Sequence, residues 1–167
     1  DVVCTFVARH LAGNPNGVIR AAGHPIVTLP PRSADPESDA AETGHAIAGL
    51  GQVELVIVDH YALDRRWEVA FTPFAQRFAV IDDLANRPHH CDALIDVAQG
   101  RDRPMLYDPL VPADAILLLG PRYAILRPEF KSLRAAMRTR SGAVDRVLIS
   151  FGAVDADNYS EIAWRAV

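Results

Sequence analysis

Three short runs set groups that can move protons or grip hydroxyls directly against an apolar stretch: VIVDHY (Val56 to Tyr61), VIDD (Val80 to Asp83) and LRPEF (Leu126 to Phe130). In an open α/β sheet such polar tips fall at the strand ends, where ligands bind. His60 can transfer a proton near neutral pH, and the Tyr61 phenol can donate to or accept from a hydroxyl. The same residues also fit a plainer reading, in which Asp59 caps the following turn and His60 packs as a neutral ring. Asp82 and Asp83 are adjacent, so on an extended chain they point to opposite faces and do not form an acid/base pair. One is expected to face a ligand while the other holds the loop.

In LRPEF, Pro128 forces Arg127 into an extended conformation, and Glu129 falls in a first helical turn, where a carboxylate suits the helix dipole. Arg127 can grip a phosphate or a sugar carbonyl through its fork of donors, or instead pair with Asp82, Asp83 or Glu129. Leu148 to Asn158 (LISFGAVDADN) reads as a strand, a turn holding Gly152 and a polar lead into a helix. One glycine is a far weaker phosphate signal than a full glycine-rich loop. HHCD (His89 to Asp92) lacks CxxC or HxxxH spacing, so no metal is expected, and Cys91 reads as a small buried hydrophobe.

The elements that must position these tips are legible as apolar runs. Val2–Val7, Ile26–Leu29, Val53–Val58, Phe78–Ile81, Ala93–Val97, Ile116–Leu119 and Val147–Ile149 are strand-like, several of them continuous rather than alternating. Continuous runs suit strands buried on both faces of a parallel sheet. Helix-like stretches at Gly17–Ala22, Ser38–Leu50, Leu63–Phe71, Glu129–Arg138 and Asn158–Val167 alternate with them, which means βαβ units. The expected fold is therefore α/β: a Rossmann-like parallel sheet with helices on both faces. A polar stretch from Arg138 to Ala143 suggests one domain over residues 1–140, then a linker and the first strand and helix of a second over 141–167. The start in a strand-like run and the end in an unfinished helix read as a segment of something longer.

Half of the 167 residues are hydrophobic, enough for a substantial core. With 17 basic against 21 acidic residues and no dense Lys/Arg run, nucleic acid is not an expected partner. Two distant cysteines, Cys4 and Cys91, indicate a reducing, cytoplasmic setting. No apolar stretch has the ~18 residues of a membrane span, so no integral membrane segment is expected.

Taken in order, VDHYALDRRWE, IDDLANRPHHCDALID, GPRYAILRPEF and LISFGAVDADN resemble the bacterial UDP-2,4-diacetamido-2,4,6-trideoxy-β-L-altropyranose hydrolases of pseudaminic acid biosynthesis. These are related to spore-coat polysaccharide biosynthesis proteins, and the likeness runs over nearly the whole chain. The resemblance implies the N-terminal half of a GT-B-like fold, whose C-terminal domain holds UDP. It also implies a metal-free and cofactor-free reaction in which water attacks the anomeric carbon and UDP leaves. Tyr61 carries over as an active-site residue, with His60 beside it as the second catalytic candidate. Asp83, Arg127, Gly152 and Asp155 match family positions as substrate-binding candidates.

The family's base is a histidine in a GxGH loop that would precede Asp1. The dipeptide at Gly44-His45 lies in a helix-like stretch and does not take that role. Two positions depart from the family pattern: Asp96-Val97-Ala98 stands where an asparagine is usual, and Gly152-Ala153-Val154-Asp155 stands for GGxD. The expected substrate is a UDP-sugar, and the chain alone is expected to be nearly inactive. A GT-B glycosyltransferase and a non-catalytic sugar-binding domain are the competing expectations.

Overall fold

The computed structural model describes the chain apart from residues 1, 12–15, 32, 34, 101, 138–141, 143, 145, 152–154, 156 and 167. The chain divides into two compact units, Asp1–Ile125 and Leu126–Val167. In the first, the order is β1 (Phe6–Arg9), α1 (Asn16–Ala21), β2 (Ile26–Leu29), α2 (Pro36–Ile47), β3 (Val53–Asp59), α3 (Arg65–Phe71), β4 (Ala75–Ile81), β5 (Ala93–Asp96), α4 (Arg103–Tyr107) and β6 (Ile116–Leu119). Every pairing is parallel: β1 with β2 in one sheet, and β3-β4-β5-β6 in a second, four-stranded one. The α/β reading and six of the seven expected strands are therefore present.

Local signals set the helix starts. Asp35, in extended backbone, accepts from the Ser38 amide at 2.8 Å, Pro36 opens α2, and Glu37 and Asp39 fill its first turn. Asp64 likewise accepts from the Arg66 amide at 2.9 Å to begin α3. A short 3-10 turn (Ala48–Leu50) and Gly51 at φ 75° end the α2 segment, a left-handed conformation that suits glycine.

The core lies on one face of the four-stranded sheet. Val58, Phe78, Val80 and Leu94 point into it, and Ala40 and Ile47 of α2, Trp67 and Phe71 of α3 and Tyr107 of α4 cover them. Trp67 and Phe71, one helical turn apart, stack at 4.6 Å, and the Phe78 ring meets Phe71 edge-on at 6.4 Å. A second network fastens β1 to the helices. Arg9 donates to Asp39 at 2.7 Å, to Glu42 at 2.9 Å and to the Pro30 carbonyl at 2.7 Å, while the Trp67 indole donates to Asp39 at 2.8 Å.

Gly44 is buried in α2 where any side chain would overlap the ring of Phe74. Gly44→Val is expected to lower stability by about 1–3 kcal/mol through overpacking, read as a lower urea midpoint at unchanged slope.

Three expectations need correction. The opposite face of the sheet is left open: Ile57 and Ile116, aligned by register through Ala79 and Ala93, and Leu55, two residues before Ile57 on the same face, are half or more exposed, so helices do not lie on both faces among the described residues. Val147–Ile149 forms no strand. It finds no ladder partner among the described residues, and Leu148 is 92% exposed. The first run forms a strand only from Phe6, because β2 supplies partners for Phe6–Arg9 alone and leaves Val2 and Val3 in solvent. The second unit, described by itself, contains α5 (Pro128–Ala135) and α6 (Tyr159–Arg165). Among the described residues no helix is long and apolar enough to cross a membrane.

Candidate functional site

Parallel strands all end at one edge, and register decides which tips meet there. Asp59 lies opposite Ile81, Ile81 opposite Ile95, and Asp96 opposite Leu119. The Asp59-His60-Tyr61 and Asp82-Asp83 tips thus leave neighbouring strands at the same carboxyl edge, with Asp96 on the next strand. This is the edge where open α/β sheets bind ligands.

The adjacent carboxylates divide their tasks as their alternation requires. Asp83 is exposed, whereas Asp82 is buried at 2% exposure. One Asp82 oxygen accepts from the Ala85 amide at 2.9 Å, closing a turn in which Ala85 adopts φ 49°, and the other meets Arg87 at 2.7 Å. The buried Tyr107 hydroxyl lies 3.1 Å from Asp82 Oδ2, 3.1 Å from Asp96 Oδ2 and 2.9 Å from the Asp82 carbonyl. Arg103 pairs with Asp96 and donates to the Asp83 carbonyl at 2.6 Å, and Asp96 also accepts from the Ala98 amide at 2.8 Å.

Two carboxylates and two guanidiniums therefore balance around one phenol. Burial and the charges of Asp82 and Asp96 push the Tyr107 phenol well above its ordinary range, so it stays a hydroxyl. Burial alone would raise the Asp82 carboxyl. The Ala85 amide, the Arg87 charge and the Tyr107 hydroxyl outweigh it and hold the group below its ordinary value.

Above this buried layer lies the His60–Tyr61 turn. Tyr61 is 68% exposed. The exposed His60 ring accepts the Ala62 amide at Nδ1, 3.0 Å away, so the neutral ring carries its proton on Nε2. Outward, His60 offers an N–H donor rather than a base. Arg87 spans the turn from beneath, donating to the His60 carbonyl at 3.1 Å and the Leu63 carbonyl at 2.8 Å.

The remaining candidates lie in the second unit. Arg127 is extended ahead of Pro128 (φ −61°, ψ 147°) and its guanidinium lies 5.6 Å over the Phe130 ring. Asp155 accepts from the Tyr159 and Ser160 amides at 2.8 and 2.9 Å, fastening the start of α6, and the Ser160 hydroxyl together with these amides holds its carboxyl below the ordinary value. Gly152 lies outside the described residues.

HHCD serves the interior. His89 is fully buried and its Nδ1 donates to the equally buried Glu68 at 2.7 Å, while the other Glu68 oxygen accepts from the His90 amide. Burial, with Glu68 and Asp92 nearby, pushes the Cys91 thiol up to about 12, which leaves it protonated and unreactive. His45, on α2, is exposed and meets the Phe74 ring edge-on at 6.5 Å.

Arg87, Arg103, Tyr107 and Asp96 had been given no role from sequence. Arg87 lies in the loop after VIDD, Asp96 ends the ALID strand, and Arg103 and Tyr107 belong to α4; the available signal was their charge or polarity close to those strand ends. No protein-family model matches this chain, and no curated protein does.

Proposed function

We propose that this chain supplies the sugar-facing half of a GT-B-like enzyme that hydrolyses a UDP-linked diacetamido-trideoxy sugar to UDP and the free sugar. One observation carries the reading: the DHY and DD tips emerge side by side at the carboxyl edge of adjacent parallel strands. There, outward-facing Tyr61 and Asp83 stand over a buried layer in which Asp82 pairs with Arg87 and Asp96 with Arg103. An exposed phenol, an imidazole N–H and a carboxylate are a donor and acceptor set suited to sugar hydroxyls and acetamido groups.

In this reading Tyr61 orients the sugar and the His60 N–H donates to it. Asp83 accepts from a hydroxyl. In the second unit, taken by itself, Arg127, Gly152 and Asp155 are the substrate-binding candidates that the resemblance implies. The proton of the attacking water goes to a base other than His60, whose Nδ1 is engaged with the Ala62 amide. The resemblance assigns that base to a GxGH loop; the Gly-His pairs of this chain are Gly23-His24, just ahead of β2, and Gly44-His45, within α2, and neither belongs to a GxGH sequence.

Calorimetry of the 167-residue chain with the free diacetamido-trideoxy sugar and with its UDP conjugate tests the reading. Both are expected to bind, and Tyr61→Phe is expected to weaken the sugar about tenfold, the worth of one hydrogen bond of ~1.4 kcal/mol. UDP release by this chain is expected to stay at the uncatalysed rate. Sugar binding that ignores Tyr61→Phe would remove the site, and rapid UDP release would show that the base lies within these residues.

A further inference from the structure

The turn that carries Tyr61 has little of its own to hold it. Within it the Ala62 amide donates to His60 Nδ1, and Tyr61 itself projects into solvent. Its backbone is held from the neighbouring strand's loop instead. Arg87, whose side chain is 12% exposed, uses Nε for the Leu63 carbonyl, one terminal nitrogen for the His60 carbonyl and the other for Asp82. The carbonyls it grips bracket Tyr61. The Arg65 amide adds a parallel tie, donating to the Pro88 carbonyl at 2.9 Å. Asp82 is immobilised in turn by the Ala85 amide and the Tyr107 hydroxyl, so the fork stands on a fixed base.

From this geometry we infer that Arg87 is a positioning residue, which sets the place of the Tyr61 phenol at the carboxyl edge by clamping the His60 and Leu63 carbonyls; the inference rests on Tyr61 contacting the sugar as proposed above. Only a planar guanidinium serves two carbonyls and a carboxylate at once. An ammonium keeps the charge and loses the fork.

Arg87→Lys therefore separates the two contributions, because it retains an ion pair for Asp82 while giving up the bracketing bonds. Amide hydrogen exchange of the 167-residue chain is expected to quicken about tenfold at Ala62 and Arg65, with the amides of β4 and β5 unchanged. Sugar affinity, measured by calorimetry, is expected to fall about tenfold. Combining Arg87→Lys with Tyr61→Phe is expected to weaken binding about tenfold, not a hundredfold, because both changes remove the same contact.

Unchanged exchange at Ala62 and Arg65 would overturn the proposal. So would exchange that rises equally across the sheet, or a full hundredfold loss in the double variant. If the unsubstituted chain binds no sugar, the proposed function fails on that result alone, and the exchange measurement still decides whether Arg87 holds the turn.

Discussion

Substitution of Glu68 by alanine is expected to lower the unfolding free energy by about 3–5 kcal/mol, the cost of removing one member of a buried, hydrogen-bonded pair. Glu68 and His89 are both at or below 1% exposure, and the carboxylate serves the His89 ring and the His90 amide together. Without it, the buried His89 ring N–H and the part-buried His90 amide both lose their acceptor. His89 is already short of one contact, since its Nε2 has no partner among the described residues. The loss should show as a lower denaturant midpoint with the slope unchanged. A double variant, Glu68→Met with His89→Leu, should recover much of the loss, because exchanging a whole buried pair for apolar groups removes the unmet demand rather than exposing it. A Glu68→Ala effect below about 1 kcal/mol would mean that water reaches this pair.

Glu68 also shows where sequence reading stops. In RRWEVAF it looks like a solvent-facing charge, yet helical spacing puts it one turn from Phe71, and both face the core. Its burial depends on His89, 21 residues on, and nothing local announces that pairing. The strands were legible because their apolar runs are continuous, but an apolar run does not state its partner. Val53–Val58 found β4 and became β3, whereas Val147–Ile149 found no ladder. α4 was missed because RPMLY is too short to show a period, although its Tyr107 organises the site.

The division between Asp82 and Asp83 was legible from strand alternation. Which of the two would turn inward was not, since that is decided by Tyr107, 25 residues away, and by Arg87. The tips that face solvent were thus readable from type and position. The layer that holds them is built from long-range pairs and had to be seen.

Asp82→Ala is the second large effect, also expected to cost about 3–5 kcal/mol. The change leaves the Ala85 amide short of an acceptor, removes one of three acceptors around the Tyr107 hydroxyl, and leaves the Arg87 guanidinium without its carboxylate in a nearly dry position. Its pH signature follows from its surroundings. In the folded chain the Asp82 carboxyl is held below its ordinary value of 3.8: burial works to raise it, and the Ala85 bond, Arg87 and Tyr107 outweigh that. A depressed folded-state value means that the stabilisation is fully present above the unfolded value and is lost as pH falls through the folded one. The unsubstituted chain should therefore hold its stability down to about pH 4 and lose it progressively below that, while Asp82→Asn starts lower and declines less steeply over the same acid range. Urea titrations from pH 6 to pH 2 would read this directly. Parallel curves for the two proteins would mean that Asp82 titrates alike in the folded and unfolded chains, and that the layer beneath the Tyr61 turn draws no strength from its charge.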